Sequence, residues 1–254
     1  MNLTEATLLL VAGLAAGGVN AIAGGGSLIT FPMMLAIGMP SVSANVSNAL
    51  SVAPGYASSV VSSRADLAGQ GRRALRVIPT AIAGALCGCA LLLKTPRHVF
   101  DFVVPFLVIG AALMLAFQTK LRGLVGHPAH VSDRRAQVML HTAVFLCALY
   151  GGYFNAALGV LLVAGLALVL EETLARVSAL KNLLSAIVGM VTILVYSIFG
   201  PVNWAAVAVV APATVIGGYL GAKVARRLPA KVLRAVIVTF GLLVGTYLFV
   251  RAVI

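Results

Sequence analysis

The chain has 254 residues, of which 61% are hydrophobic and only 9% charged, and its mean hydropathy is +1.07. A soluble domain carries roughly 45–50% apolar and about 25% charged residues, so composition excludes a water-soluble globule and points to an all-α polytopic membrane protein built as one bundle. The net charge of +12 would suggest a nucleic-acid partner in a soluble protein, but here the basic residues sit in short clusters between apolar segments, as in cytoplasmic loops, and no nucleic acid is expected.

The first apolar segment runs over residues 3–23. With Arg64 as the first basic residue, it lacks the charged start of a secretory leader and is expected to stay in the chain. Further segments are expected over 28–39, 42–61, 74–93 and 99–117. Residues 120–135 hold four basic residues, two His, a Pro and an Asp, which is the composition of a connecting loop. Apolar character returns over 136–153, 156–170, 177–199, 204–222 and 232–250. Residues 28–39 and 156–170 are short beside the ~20 residues of a crossing, and are read as full crossings or as re-entrant half-helices, giving eight to ten membrane segments. Thr95 and Pro96 read as N-cap and first residue of the fifth helix, Pro229 opens the last, and Pro79 and Pro212 fall inside or near the first turns of theirs. Cys87, Cys89 and Cys147 lie in apolar stretches and read as small packing residues rather than a disulfide framework.

The second five segments repeat the first five. Pro79, Gly84, Gly88 and Pro96 recur with identical spacing as Pro212, Gly217, Gly221 and Pro229. Gly17, Gly18, Ala23, Gly25, Leu28, Asn48, Leu50 and Ser51 recur as Gly151, Gly152, Ala157, Gly159, Leu162, Asn182, Leu184 and Ser185. The division expected is a first transmembrane repeat over 1–118, a cytoplasmic linker over 119–135 and a second repeat over 136–254. The GxxxG spacing of Gly84 with Gly88, and of Gly217 with Gly221, lets helix backbones approach closely.

Charge sets the expected orientation. Arg64, Arg72, Arg73 and Arg76 lie between the third and fourth segments, Lys120, Arg122, Arg134 and Arg135 in the linker, and Lys223, Arg226, Arg227, Lys231 and Arg234 before the last segment. These loops are expected on the cytoplasmic side, with the roughly neutral Glu171, Glu172 and Arg176 beside them, and the uncharged 200–203 loop outside. Repeat-related loops then lie on opposite sides, so the halves are expected to be inverted, with both termini periplasmic. Inversion is what alternating access around a central site requires.

Three consecutive glycines, Gly24, Gly25 and Gly26, followed by Ser27 and preceded by Asn20, are costly within a continuous helix and mark a break. Either this is a tight turn, or its amides and the helix start after it hold an anion. The second half offers only Asn155 and Gly159 there, a weaker nest. Asn45, Ser47, Asn48 and Ser51 follow in an apolar helix and are answered by Lys181, Asn182 and Ser185. Polar groups at this depth bind neighbouring helices or line a substrate path, and Lys181 either neutralises an anion or snorkels to the surface.

His127 and His130 lack further ligand partners, so no metal is expected. His141, Asp101, Glu171 and Glu172 are either proton-coupling groups or ordinary helix-end residues. The chain has no GxxxxGK[ST] loop and no triad-like constellation, so no enzyme, cofactor or ATP-driven pump is expected.

The run from Gly17 to Ser51, GGVNAIAGGGSLITFPMMLAIGMPSVSANVSNALS, resembles the opening of the sulfite exporter TauE/SafE family of permeases. GGYFN from Gly151 and RVSALKNLLS from Arg176 resemble that family's second repeat, so the likeness covers nearly the whole chain. The resemblance implies a secondary carrier, an exporter in the family's name, for small sulfur-containing anions such as sulfite, thiosulfate or organosulfonates. It carries the family's motif onto Asn20, Gly24, Gly25, Gly26, Asn45, Asn48, Ser51, Lys181 and Asn182. This chain departs from a glycine-rich second break, because Ala156, Ala157 and Leu158 separate Asn155 from Gly159. The expectation is a carrier in a bacterial inner membrane that binds a small anion, with or without a coupling proton or ion, in an oligomeric state left open. A non-transporting scaffold that binds partner helices through its GxxxG faces is the alternative, and a channel suits the mostly uncharged core less well.

Overall fold

A computed structural model describes all residues except 23–24, 118, 121–132, 225–229 and 254, and every regular element among the described residues is a helix. In chain order these are α1 (Leu3–Ile22), α2 (Ser27–Ala36), α3 (Ser41–Ser62), α4 (Gly71–Lys94), α5 (Arg97–Ala116), α6 (Asp133–Tyr153), α7 (Leu158–Ala167), α8 (Leu174–Phe199), α9 (Trp204–Val224) and α10 (Ala230–Val253). Five of them, α1, α4, α5, α6 and α8, are long and apolar enough to cross a membrane. Exposed Leu86, Phe102, Met190 and Leu194 give the bundle an apolar exterior suited to lipid.

α2 and α7 have 10 residues each. At ~1.5 Å per residue each is about 15 Å long, half the ~30 Å hydrocarbon core, so neither crosses. α2 stops because Gly38 takes φ +85° and the amides of Gly38 and Met39 turn back onto Leu35 O and Met34 O, a left-handed cap that only glycine adopts without strain. One helix start differs from the sequence reading. α5 opens at Arg97 with Pro96 as its N-cap, while Thr95 ends α4 and turns its hydroxyl back onto Leu91 O, 2.7 Å away, because Pro96 holds it extended. Pro79 and Pro212 lie inside α4 and α9, and Pro229 lies outside the described residues.

The main pairings cross between the halves: α1 with α9, α4 with α6, α3 with α8, and α5 with α10. Exchanging the first five helices for the second five maps this set onto itself. α3 and α8 run antiparallel, since Ser63 meets Asn182 at one end and Ser47 meets Asn203 at the other. α5 and α10 do too, with Ala112 beside Gly241 and Ile109 beside Gly245. α1 runs parallel to α9, and α4 to α6. Glycine permits these last two contacts: a Cβ on Gly88 would fall 2.1 Å from Leu149 O, and one on Gly217 2.1 Å from Leu14 O.

Candidate functional site

Asn45, Asn48, Val52 and Tyr56 follow at spacings of three and four along α3 and so share one face. The two chain breaks come to this face. After α1 the chain doubles back so tightly that a Cβ on Gly26 would lie 2.4 Å from Ala16 O, and the Gly26 amide donates to Asn20 Oδ1 at 2.8 Å. Thr30, in the first turn of α2, donates from its hydroxyl to Asn48 Oδ1. The break between α6 and α7 is made by Asn155 at φ +63° and Ala157 at φ +57°, both left-handed, a costly conformation for residues other than glycine and one that clusters at functional sites. It is held by Tyr150, whose hydroxyl donates to Ala156 O at 2.7 Å, and lies along α3 through Asn45 Nδ2 on Tyr153 O at 2.8 Å and Tyr56 OH on Asn155 Oδ1 at 3.4 Å. Phe31 of α2 packs edge-on against Phe154 with centroids 5.3 Å apart, joining the two breaks.

Four buried polar atoms have no protein partner among the described residues: Asn45 Oδ1, Asn48 Nδ2, Asn155 Nδ2 and Ser185 Oγ. Their residues are at most 2% exposed. Each such group left unmatched costs about 1–3 kcal/mol, so the donors of Asn48 and Asn155 and the acceptor of Asn45 beside the breaks, with Ser185 Oγ apart on α8, stand ready for polar ligand atoms.

The other expected site residues take different places. Gly24 lies outside the described residues. Asn20 and Gly26 are committed to each other, so the Gly26 amide expected for an anion is already engaged, because the tight turn must satisfy its own backbone. Gly25 packs against Leu115, and Ser27 is buried at the start of α2. Ser51 turns its hydroxyl onto Ser47 O at 2.7 Å while its carbonyl accepts from Thr214 of α9 at 2.8 Å. Asn182 is not beside Asn48: it donates to Ser59 O at 3.3 Å and Ser63 Oγ at 3.1 Å at the end of α3, where antiparallel packing carries it. Lys181, next to it, is half-buried at that same level. Thr30 and Tyr56 went unnoticed in the sequence, although Tyr56 continues the Asn45–Asn48 face and Thr30 interrupts an apolar stretch. His127 and His130 lie outside the described residues.

A second polar cluster ties the α3–α4 turn to the α7–α8 turn. Arg73 reaches Glu172 at 2.8 Å and Arg176 reaches it at 2.6 Å. Buried Gln70 donates to Asp66 O at 2.9 Å and Arg176 O at 3.1 Å. The Arg73 guanidinium, helped by Arg176, holds the Glu172 carboxyl below its usual range against the opposing effect of burial.

The sequence has relatives. The sequence profile described as "Sulfite exporter TauE/SafE" matches residues 9–248. A Sinorhizobium protein named "Probable membrane transporter protein ORF9" is 27% identical over 234 residues, covering 91% of this chain and 87% of its own length. A "Probable membrane transporter protein" of Haemophilus influenzae is 25% identical, covering 85% and 83%, and "Probable membrane transporter protein YfcA" of Escherichia coli K12 is 26% identical, covering 87% and 79%. No solved structure matches the chain. With its profile matched along nearly the entire length, this all-helical membrane protein belongs to the sulfite exporter TauE/SafE family of transporters.

Proposed function

We propose that the chain is a secondary carrier that moves a small sulfur-containing oxyanion by alternating access, exporting it across a bacterial inner membrane. One observation carries the reading: fully buried Asn48 and Asn155 hold hydrogen-bond donors without protein acceptors, where the two breaks meet α3. Oxyanions accept such bonds from neutral amides and hydroxyls, and the starts of α2 and α7 add their positive dipole ends. The halves, 1–118 and 136–254 around a linker at 119–135, are read as inverted repeats that rock about this centre. Antiparallel packing of the repeat-related helices α3 with α8 and α5 with α10 supports that reading. In this reading Ser27 and Lys181 serve the approach to the site, and both termini face the periplasm.

The test is transport of labelled sulfite or a labelled sulfonate into vesicles holding the purified chain. Uptake above that of empty vesicles is expected. Equality with empty vesicles for several such anions removes the proposal.

A further inference from the structure

The donors at the centre are all neutral. Among the described residues, the buried polar set consists of Ser, Thr, Asn and Gln, with no Lys, Arg, Asp or Glu. Lys181 is the nearest cation along α8, one turn towards the helix start from Ser185. Its neighbour Asn182 bonds Ser63, the residue that caps α3, so this turn of α8 lies at the end of α3 and not at the level of Asn48. The positive field at the centre therefore comes from two helix starts, α2 behind Thr30 and α7 behind Asn155, each equivalent to about half an elementary charge.

Together these supply about one positive charge, enough to balance one negative charge and no more. The cost of moving an ion out of water grows with the square of its charge, so a dianion pays about four times the desolvation penalty of a monoanion of its size. Asn45 Oδ1, the acceptor in the set, presents a partial negative charge to the ligand and opposes a second bare charge. We propose that this centre selects singly charged oxyanions and rejects dianions. Sulfite is then carried as hydrogensulfite, and thiosulfate and sulfate are refused. This rests on the carrier reading above.

The experiment measures uptake of labelled methanesulfonate into vesicles containing the protein, with unlabelled sulfate or sulfite as competitor. Sulfate is expected to compete at least roughly tenfold more weakly than unlabelled methanesulfonate. Sulfite competition is expected to fall as pH rises through the hydrogensulfite pKa. Methanesulfonate, whose charge stays constant, is followed at both pH values to correct for titration of the protein. Sulfate competing as well as methanesulfonate, or sulfite competing better at the higher pH, overturns charge selection and leaves the oxyanion carrier standing. If labelled methanesulfonate, sulfite and sulfate, each offered alone, all fail to enter above the level of empty vesicles, both are overturned.

Discussion

Asn20 and Asn48 are both amides in apolar helices, yet their bonds assign them different work. Asn20 Oδ1 accepts the Gly26 amide and closes the first break. Asn20→Ala leaves that amide unmatched at a cost of about 1–3 kcal/mol, and is expected to lower the melting temperature in detergent. Asn48→Ala removes an acceptor from Thr30, which keeps Gly26 O at 3.4 Å, so the fold should tolerate it. The same change deletes an uncommitted donor. Transport is therefore expected to fall at least roughly tenfold in Asn48→Ala with little change in melting temperature, and a variant that transports like the parent moves the site elsewhere. The sequence made Asn45 and Asn48 legible because amides three apart in an uncharged helix stand out. Asn182 was misplaced for a physical reason: the repeat equates it with Asn48, but antiparallel packing of α3 and α8 sets it against the end of α3. The left-handed Asn155 and Ala157 were hidden because neither residue type announces that conformation.

Between helices, contact is set by glycine and by one charged clasp. Gly88 sits so close to Leu149 O that a side chain has nowhere to go, and its partner is backbone that cannot rotate aside. Gly88→Val is expected to abolish folded protein, read as loss of the monodisperse peak in detergent. The spacing of small residues foretold this approach but not its partner, since nothing local says that α4 meets α6 of the other half. The clasp is milder. Glu172 is 17% exposed and paired with both Arg73 and Arg176. Glu172→Gln should cost about 1 kcal/mol at neutral pH. Because the carboxyl is held below its ordinary range, its contribution is present above the unfolded value and is lost as pH falls through the lowered one. The melting difference between parent and variant should therefore shrink only in acid, below the usual carboxylate range. A difference that vanishes already at mildly acidic pH contradicts the clasp.

At the scale of the whole molecule, every major helix pairing crosses between the halves, so neither half buries its own glycine faces. This interlock leaves the orientation of each half as the deciding question. The charge pattern is expected to put the turn before α4, with Arg64 in it and Arg72, Arg73 and Arg76 just beyond, on the cytoplasmic side and the uncharged 200–203 loop outside, although the two follow the corresponding helices α3 and α8. The helix directions agree with that arrangement, because α3, which ends at the first loop, runs antiparallel to α8, which ends at the second. Cys87, Cys89 and Cys147 can be replaced to give a cysteine-free background, and single cysteines introduced at Gly69 and Asn203. Gly69 has φ +78°, so Ala68→Cys on the same turn is the companion variant should Gly69→Cys fail to fold. In intact cells a membrane-impermeant maleimide is expected to label Asn203→Cys, and to label the Ala68 or Gly69 position only after the membrane is opened. Labelling of both positions from the outside would put equivalent loops of the two repeats on one face, and alternating access between inverted halves would have to be abandoned.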